Sequence, residues 1–199
     1  MIDRTRAPMS SLAACLLTRH AARCMNIADT IKVINQMQAD GVIGSYAVGG
    51  AVGATFYLEP VATFDVDIFV HFEPNPDQPI ITLKPIFDYL AARGCTHERE
   101  YVNIAGTPVQ FLAAGTSLVD EAIKQAIPHD LDGTPVWVFT AEHLCAIALE
   151  VGRAKDKTRV IQFIEEEAID QTRFQAILKR HGLADRWEKF ESQFLADQP

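Results

Sequence analysis

The sequence predicts an α/β fold of the α+β kind, in which a mixed, twisted sheet of about five strands with flanking helices precedes a helical C-terminal region. Two observations support this prediction. Short apolar runs with strand character alternate with helical spacing up to about residue 140, and only helical spacing follows. A chain of 199 residues with 48% hydrophobic and 22% charged residues also suffices for a domain with a full core.

We divide the chain into three parts: a leader at 1–24, a core at 25–140 and a helical C-terminal region at 141–199. The leader holds four arginines and one acid, and we expect it to be poorly ordered. Its composition is also typical of targeting segments, but Met25 offers a natural start and favours a flexible or over-extended leader.

The individual elements follow from apolar spacing and from turn residues. Thr140 is the predicted N-cap of the first C-terminal helix. The expected elements are a helix from residue 26 to Gly41, a strand at 45–48, a helix at 51–58, a strand with Asp65 and Asp67, a helix at 83–93, a hairpin of 97–104 and 107–113, a helix at 118–126, a strand at 135–139, and, after the Thr140 helix, further helices at 155–167, 171–180 and 184–194.

Two carboxylates share one face of the strand that carries Asp65 and Asp67. Side chains two residues apart in a β-strand point the same way, so these two lie side by side, with Phe64, Val66 and Ile68 turned away. Neighbouring carboxylates on an apolar strand repel each other and are costly to desolvate unless a cation neutralises them. Because Mg²⁺ (or Mn²⁺) prefers oxygen ligands and shares them with substrate phosphates, we expect Asp65 and Asp67 to bind such a metal.

The Gly49-Gly50 turn at the start of the preceding helix is the second half of the predicted site. Glycines let a phosphate approach the backbone, and free N–H groups at a helix start attract anions. Taken alone, a Gly-Gly pair is more often a tight turn, and an Asp-x-Asp is more often an exposed strand end. Their combination in one strand-turn-helix-strand unit favours binding of nucleotide phosphates at Gly49 and Gly50.

Gly49-Gly50, the helix after it, and Asp65-Val66-Asp67 with Thr63 just ahead resemble the signature of the nucleotidyltransferase superfamily typified by DNA polymerase β. Among its members, the chain is similar to the compact bacterial proteins related to abortive-infection toxin nucleotidyltransferases. The order of strands and helices beyond the signature agrees with this resemblance. The resemblance implies that Asp65 and Asp67 are the catalytic carboxylates and bind the metal.

In this superfamily a third carboxylate usually comes from the second hairpin strand, and here the central polar side chain of that strand is Gln110. A glutamine oxygen can bind a metal or a water, but it carries no charge and cannot act as a general base. Three alternatives stay open at this third position. Two carboxylates with substrate phosphates suffice, a carboxylate from elsewhere completes the site, or catalysis has been lost.

The resemblance further implies that Lys155 contacts the triphosphate and that Asp156 holds Lys155 or Arg153 in place. The spacing of these residues does not establish such roles. For a short run of charges, a solvated helix start is the simpler interpretation.

Composition limits the partners and the location. A net charge of −8 and a pI near 5.2 argue against an extensive nucleic-acid surface. Four cysteines without paired spacing favour free thiols in a reducing cytoplasm. Because no apolar run reaches the length of a membrane span, we expect a cytoplasmic protein without a membrane partner.

These observations lead to two hypotheses. The first is a Mg²⁺-dependent nucleotidyltransferase that moves a nucleoside monophosphate from an NTP, with ATP as the expected donor, to a hydroxyl of an unidentified acceptor. The alternative is a catalytically degenerate nucleotidyltransferase-like binding protein, or one half of a toxin–antitoxin-type pair with a partner protein. Gln110 favours the second hypothesis, and the intact Gly-Gly and Asp-x-Asp elements favour the first, which we prefer.

Overall fold

The computed structural model describes residues 26–72 and 82–195, and the predicted leader at 1–24 lies outside them. Within the described residues, helices and strands form a mixed α/β domain that ends in a helical region, which confirms the predicted fold class. The elements are α1 (Ile27–Ala39), β1 (Tyr46–Val48), α2 (Gly50–Ala54), β2 (Val66–Val70), α3 (Lys84–Ala91), β3 (Thr96–Glu98), β4 (Tyr101–Ile104), β5 (Thr107–Ala113), α4 (Ser117–Lys124), β6 (Ile127–Leu131), β7 (Thr134–Val138), α5 (Ala141–Val151), α6 (Ala154–Glu165), α7 (Gln171–Arg180) and α8 (Ala184–Phe194).

The sheet of the described chain has seven strands in the order β3-β4-β5-β2-β1-β7-β6, two more than the sequence predicted. β2 runs parallel to β5 and β1 runs parallel to β7, whereas the other pairs are antiparallel. The predicted strand at 97–104 is divided into two strands, β3 and β4, which pair with each other. β6 was not predicted, because this exposed edge strand lacks the apolar pattern from which strands are predicted. β3 is separated from β4 by a turn at Arg99, and β6 joins β7 through Asp132-Gly133.

The helix predicted at 51–58 is regular only over Gly50–Ala54. Beyond it the amides of Phe56 and Tyr57 donate to carbonyls three residues back, so the chain continues in tight turns up to Leu58, which is buried. A helix of five residues carries little cooperative dipole. The anion affinity expected from its N-terminus is correspondingly small.

Each face of the sheet is covered by a separate layer. One core lies between the sheet and helices α1 and α3, with Ile31, Ile34 and Leu90 fully buried. The other core lies between the opposite face and the helices α4 to α8, with Phe139, Phe163 and Phe174 fully buried. Within this layer, α6, α7 and α8 pack against α5, and α5 packs against α2 and α4.

Helix α5 is the centre of the second layer. Thr140 caps it as predicted, since the Thr140 hydroxyl accepts the amide N–H of His143. Nearly all of α5 is buried, including Glu142, whose carboxylate accepts the amide N–H of Asp170. None of the helices in residues 26–72 and 82–195 has the length and apolar character needed to cross a membrane.

A polar cluster around Glu121 ties α4 to α5 and to the end of α7. Arg180 donates to the Glu121 carboxylate through Nη2 at 2.5 Å and Nε at 3.2 Å, and His181 Nε2 lies 2.9 Å from the same group. The buried His143 lies 3.4 Å from Glu121 through Nε2, while its Nδ1 lies 2.9 Å from the Thr140 hydroxyl. These bonds, those from Arg180 first, lower the pKa of Glu121 to about 2, and burial lowers the pKa of His143.

We predict that Glu121→Gln lowers the free energy of unfolding by roughly 1–3 kcal/mol at neutral pH, because the variant leaves Arg180 and the histidines without a charged acceptor. The folded pKa of Glu121 lies below its ordinary value of 4.5, so its stabilisation is complete above about that pH and is lost as the pH falls toward 2. Urea titrations should therefore show a difference in the free energy of unfolding between wild type and variant, and this difference should become smaller below pH 4.5. Glu188→Gln, on the exposed side of α8, is the control, and a pH-independent gap would contradict the prediction.

Candidate active site

The candidate site is a cavity of about 460 Å³ between the sheet and the start of helix α6. β2 supplies one wall. Val66 and Ile68 are fully buried on the opposite face, and Asp67 points into the cavity together with Asp65, which directly precedes the strand. The predicted alternation therefore holds for the two carboxylates. Phe64, expected to face the core side, is instead 89% exposed because it lies before the strand begins.

The glycine pair lies directly against β2. The Gly49 N–H donates to the Asp67 carbonyl at 3.0 Å, and a Cβ at Gly49 would lie 2.5 Å from the Phe69 ring. Gly50 has a φ of +58°, and a Cβ there would lie 1.7 Å from Asp67 Oδ2. The Asp67 carboxylate thus occupies the space that any larger residue at position 50 would need.

Gln110 lies beside Asp67 on the neighbouring strand. In the parallel β2–β5 pairing Asp67 is opposite Gln110, and in the antiparallel β4–β5 pairing Gln110 is opposite Tyr101. Directly paired residues lie on the same face of a sheet. Asp67, Gln110 and Tyr101 therefore form a row across three strands, and all three line the cavity.

Asp65 has two hydroxyl neighbours. The Thr63 hydroxyl donates to Asp65 Oδ1 at 3.2 Å and lies 3.3 Å from the Asp65 carbonyl. Tyr101 lines the same cavity as Asp65. The charge of Asp65, followed by burial, raises the pKa of Tyr101.

Cationic side chains from the start of α6 line the opposite side of the cavity. They are Arg153, Lys155 and Arg159. Asp156 is buried beneath them and accepts the backbone N–H of Arg153 at 3.3 Å and its Nε at 2.7 Å. Arg159 Nη1 lies 3.8 Å from the same carboxylate. Of the two partners expected for Asp156, the structure therefore gives it Arg153, and Lys155 is left exposed at the cavity.

The electrostatics of the cavity follow from these two walls. Burial first, and then the charge of Asp65, raise the pKa of Asp67. Lys155, Arg159 and Arg153 act in the opposite direction. The cations thus reduce, but do not cancel, the unfavourable pairing of the two carboxylates.

The donor groups present fit a hard divalent cation. Asp65 and Asp67 offer carboxylate oxygens, and Gln110 adds an amide oxygen on the same face. Among the residues that the structure describes, no group of three or more His, Cys, Asp or Glu side chains is arranged to hold a metal ion, either in this cavity or elsewhere. Two acids and an amide leave most coordination positions to water and substrate oxygens, as is usual for Mg²⁺.

Two residues in the cavity were not predicted from the sequence, and both could have been found. Arg159 follows Asp156 by three residues, which places both on the same side of a helix. Tyr101 follows from the hairpin, because a turn at Ala105-Gly106 pairs 104 with 107 and hence 101 with 110. The charge pattern and the hairpin register were the available signals.

We predict that Gly50→Ala is more damaging than Gly41→Ala. Both glycines have positive φ, so alanine is strained at either position by about 1–2 kcal/mol. A Cβ at Gly41 meets nothing within 4 Å, whereas at Gly50 it displaces the Asp67 carboxylate. Urea unfolding should show an additional loss of roughly 1–3 kcal/mol for Gly50→Ala, the range of overpacking substitutions. If Gly50→Ala and Gly41→Ala lowered the free energy of unfolding equally, the close approach of the Asp67 carboxylate to Gly50 would be contradicted.

Comparisons with known proteins give matches among solved structures. No protein-family model and no curated protein matches the chain. An antigenic nucleotidyltransferase-like protein from Paracoccidioides brasiliensis is 15% identical, with 81% of this chain and 92% of that chain covered and a TM-score of 0.49. ANT(2'')-Ia in complex with adenylyl-2''-tobramycin is 14% identical (83% and 98% covered, TM-score 0.41), and a solution structure of ANT(2'')-Ia is 16% identical (84% and 93%, 0.39).

Proposed function

We propose that the chain is a nucleotidyltransferase that moves a nucleoside monophosphate from an NTP to a hydroxyl acceptor. One observation carries the proposal: a single cavity holds the carboxylates of Asp65 and Asp67 on one side and a cationic cluster on the other. A nucleoside triphosphate with its divalent cation has the complementary charges. Its anionic tail needs cations, and its metal needs oxygen ligands.

The cationic cluster of Arg153, Lys155 and Arg159 is the proposed site for the β- and γ-phosphates. Arg159 is mostly buried and Arg153 is fixed by Asp156, so these guanidinium groups are held before a ligand arrives. Lys155 is exposed and flexible, and it can follow the phosphates as a point charge. A preorganised cationic wall reduces the entropy lost on binding.

Gly49 and Gly50 are the proposed backbone contact for the phosphates near the carboxylates. Their close packing against Phe69 and Asp67 keeps this turn near the strand. Because α2 has only five residues, we assign the turn a steric role, and the attraction for the phosphates comes mainly from α6.

Asp65 and Asp67 are the residues that would hold Mg²⁺ or Mn²⁺, with Gln110 as a neutral third neighbour. A bound divalent cation would stabilise negative charge on the transferred phosphoryl group and on its leaving oxygen. The protein itself orients the donor: the carboxylate pair fixes the reacting end, and the cations of α6 fix the pyrophosphate end.

A second candidate function is a catalytically degenerate nucleotide-binding protein, or one half of a toxin–antitoxin-type pair. The observation that favours it is Gln110, which lies opposite Asp67 where a third carboxylate would complete the metal site. Nucleotide binding without transfer to any acceptor would support this candidate. Both candidates share the same cavity, so binding is tested first and transfer second.

We predict metal-dependent NTP binding that requires the carboxylate pair. Calorimetric titration of ATP and GTP with Mg²⁺ or Mn²⁺ should give binding to the wild type and at least about tenfold weaker binding, or about 1.4 kcal/mol, to Asp65→Asn/Asp67→Asn. Asp130→Asn/Asp132→Asn is the matched control, because it alters an Asp-x-Asp of equal spacing at the exposed β6–β7 turn.

In the control variant, the side-chain oxygen at position 130 can still accept the Gly133 N–H, so the turn between β6 and β7 remains intact. Loss of binding in the control as well would show that the effect is not local to the cavity. Absence of binding to the wild type with either metal would overturn the nucleotidyltransferase and nucleotide-binding proposals and leave the toxin–antitoxin-type pair with a partner protein.

We predict that Gln110→Glu increases the affinity for the metal alone. The new carboxylate lies opposite Asp67, where it adds a charged oxygen ligand at a site that has two. Titration of Mn²⁺ without nucleotide, followed by electron paramagnetic resonance, should show a gain of about tenfold or more, which is about 1.4 kcal/mol. Gln175→Glu, on the exposed side of α7, is the control. Unchanged Mn²⁺ affinity in Gln110→Glu would place the metal away from β5.

A further inference from the structure

A second set of polar side chains, outside the candidate active site, joins the start of α4 to the end of α7. Ser117 Oγ lies 3.1 Å from His181 Nδ1, and His181 Nε2 lies 2.9 Å from Glu121 Oε2. A hydroxyl, an imidazole and a carboxylate thus follow one another at hydrogen-bond distance. In this order the imidazole can take the proton of the hydroxyl while the carboxylate orients the ring, which makes the serine a nucleophile.

The carboxylate determines which nitrogen of His181 can accept a proton. Arg180 donates to Glu121 through two N–H groups, which keeps the carboxylate ionised and lowers its pKa to about 2. An ionised carboxylate only accepts hydrogen bonds, so Nε2 of His181 carries the ring proton. In the neutral ring Nδ1 is then the acceptor, and the Ser117 hydroxyl donates to it.

Ser117 is exposed and lines a cavity of about 370 Å³ where β2 and β5 end. The ionisable side chains of this lining, His71 and Asp120, lie 3.1 Å apart and pair with each other. The described lining holds no lysine or arginine, so the cavity suits a neutral ligand better than an anion. Three apolar side chains complete the walls, those of Val70, Phe72 and Ala114.

Glu121 also contacts a second histidine, His143, but that pair is closed to a substrate. His143 Nδ1 lies 2.9 Å from the Thr140 hydroxyl, and the His143 side chain is 1% exposed. The Thr140 hydroxyl is also the acceptor for the His143 backbone N–H at the start of α5. Neither residue lines the cavity beside Ser117. A substrate can therefore reach the Ser117 pair and not the Thr140 pair.

The first turn of α4 supplies amide N–H groups next to the Ser117 hydroxyl. The Thr116 side chain accepts the Val119 N–H at 3.2 Å, and the Thr116 carbonyl accepts the Asp120 N–H at 3.0 Å. The amides of Ser117 and Leu118 precede these bonds and have no acceptor within the helix. They can donate to the oxygen of a carbonyl group that Ser117 attacks, which stabilises the negative charge that develops there.

We propose that Ser117 is the nucleophile of a second catalytic site, which hydrolyses neutral esters with a small apolar acyl group. Ser117 Oγ forms a bond to the ester carbonyl carbon, and its proton goes to His181 Nδ1. The bond from this carbon to the alcohol oxygen breaks, and the alcohol leaves with that proton. Water then attacks the acyl carbon and gives a proton to Nδ1, the bond to Ser117 Oγ breaks, and Oγ takes the proton as the carboxylic acid leaves. Neither the carboxylates of β2 nor a nucleotide takes part, so this activity is separate from the proposed nucleotidyl transfer.

The test is incubation of the full chain with an alkyl fluorophosphonate, without nucleotide, followed by intact mass spectrometry and peptide mapping. In this probe a bond forms from phosphorus to a serine Oγ, and fluoride leaves. We expect one label per chain, located on Ser117, and no label in Ser117→Ala. His181→Gln can still donate to Glu121 but cannot take a proton, so labelling should be slower by about 10²-fold or more.

Ser192→Ala is the matched control, because the Ser192 hydroxyl is also exposed on a helix but donates to the Lys189 carbonyl. This control should be labelled at the wild-type rate. Hydrolysis of p-nitrophenyl acetate and p-nitrophenyl butyrate should be lost in Ser117→Ala and kept in Ser192→Ala. An unlabelled wild type, a label on another residue, or a label on Ser117 without ester hydrolysis overturns the proposal.

Nitrogen-15 NMR of the His181 ring tests Glu121 as a positioning residue, at a pH where the ring is neutral. In the wild type we expect the proton on Nε2 and the free lone pair on Nδ1. In Glu121→Gln the side-chain amide can donate as well as accept, so the preference for Nε2–H and the rate of Ser117 labelling should fall together. A proton on Nδ1 in the wild type overturns the proposal, because that nitrogen could not accept the serine proton. Slower labelling in Glu121→Gln with an unchanged ring proton contradicts the positioning role.

Discussion

The placement of Asp65 and Asp67 on one face of β2 is the constraint on which the cavity depends. Carboxylates two residues apart on a strand, about 6–7 Å, repel each other by roughly 2–3 kcal/mol at a dielectric constant near 20. Burial adds to this cost at Asp67. The compensating charges come from α6, a helix that follows β2 by some ninety positions in the chain, so the site forms only when the C-terminal layer packs on the sheet.

On the opposite wall of the cavity, Asp156 is also a buried carboxylate that needs compensating positive charge. A carboxylate that is 2% exposed is strongly destabilising unless its charge is paired, and here Arg153 and Arg159 both face it. The same ion pairs hold the guanidinium groups of Arg153 and Arg159 at the cavity. The cationic wall is therefore built from one buried acid and the helix start that it caps, and Lys155 is added on the outside.

The local parts of this site could be predicted from the sequence, and the long-range parts could not. Alternation along a strand predicted that Asp65 and Asp67 lie together. The pairing of Gln110 with Tyr101 was not predicted, although the hairpin turn at Ala105-Gly106 implies it. Asp130 and Asp132 have the same spacing as Asp65 and Asp67, yet they lie exposed beside a hairpin turn, so spacing alone does not identify a site. The packing of α6 over the cavity depends on buried contacts among distant residues, for which a single sequence carries no periodic signal. The edge strand β6 was missed because its exposed residues have no apolar pattern, and β3 was merged with β4 because the turn at Arg99 has no glycine or proline to mark it.

The row formed by Asp67, Gln110 and Tyr101 distinguishes this cavity from one with three carboxylates. A neutral amide beside Asp67 removes one repulsive charge from a buried face, which lowers the cost of folding the site without a metal. For the function proposed above, a site with two carboxylates instead of three would bind a free cation weakly, so the metal and the triphosphate should bind together. Of the three side chains in this row, only Asp67 is charged. The wall that β2, β5 and β4 form therefore needs less compensation from the cations at the start of α6 than three carboxylates would need.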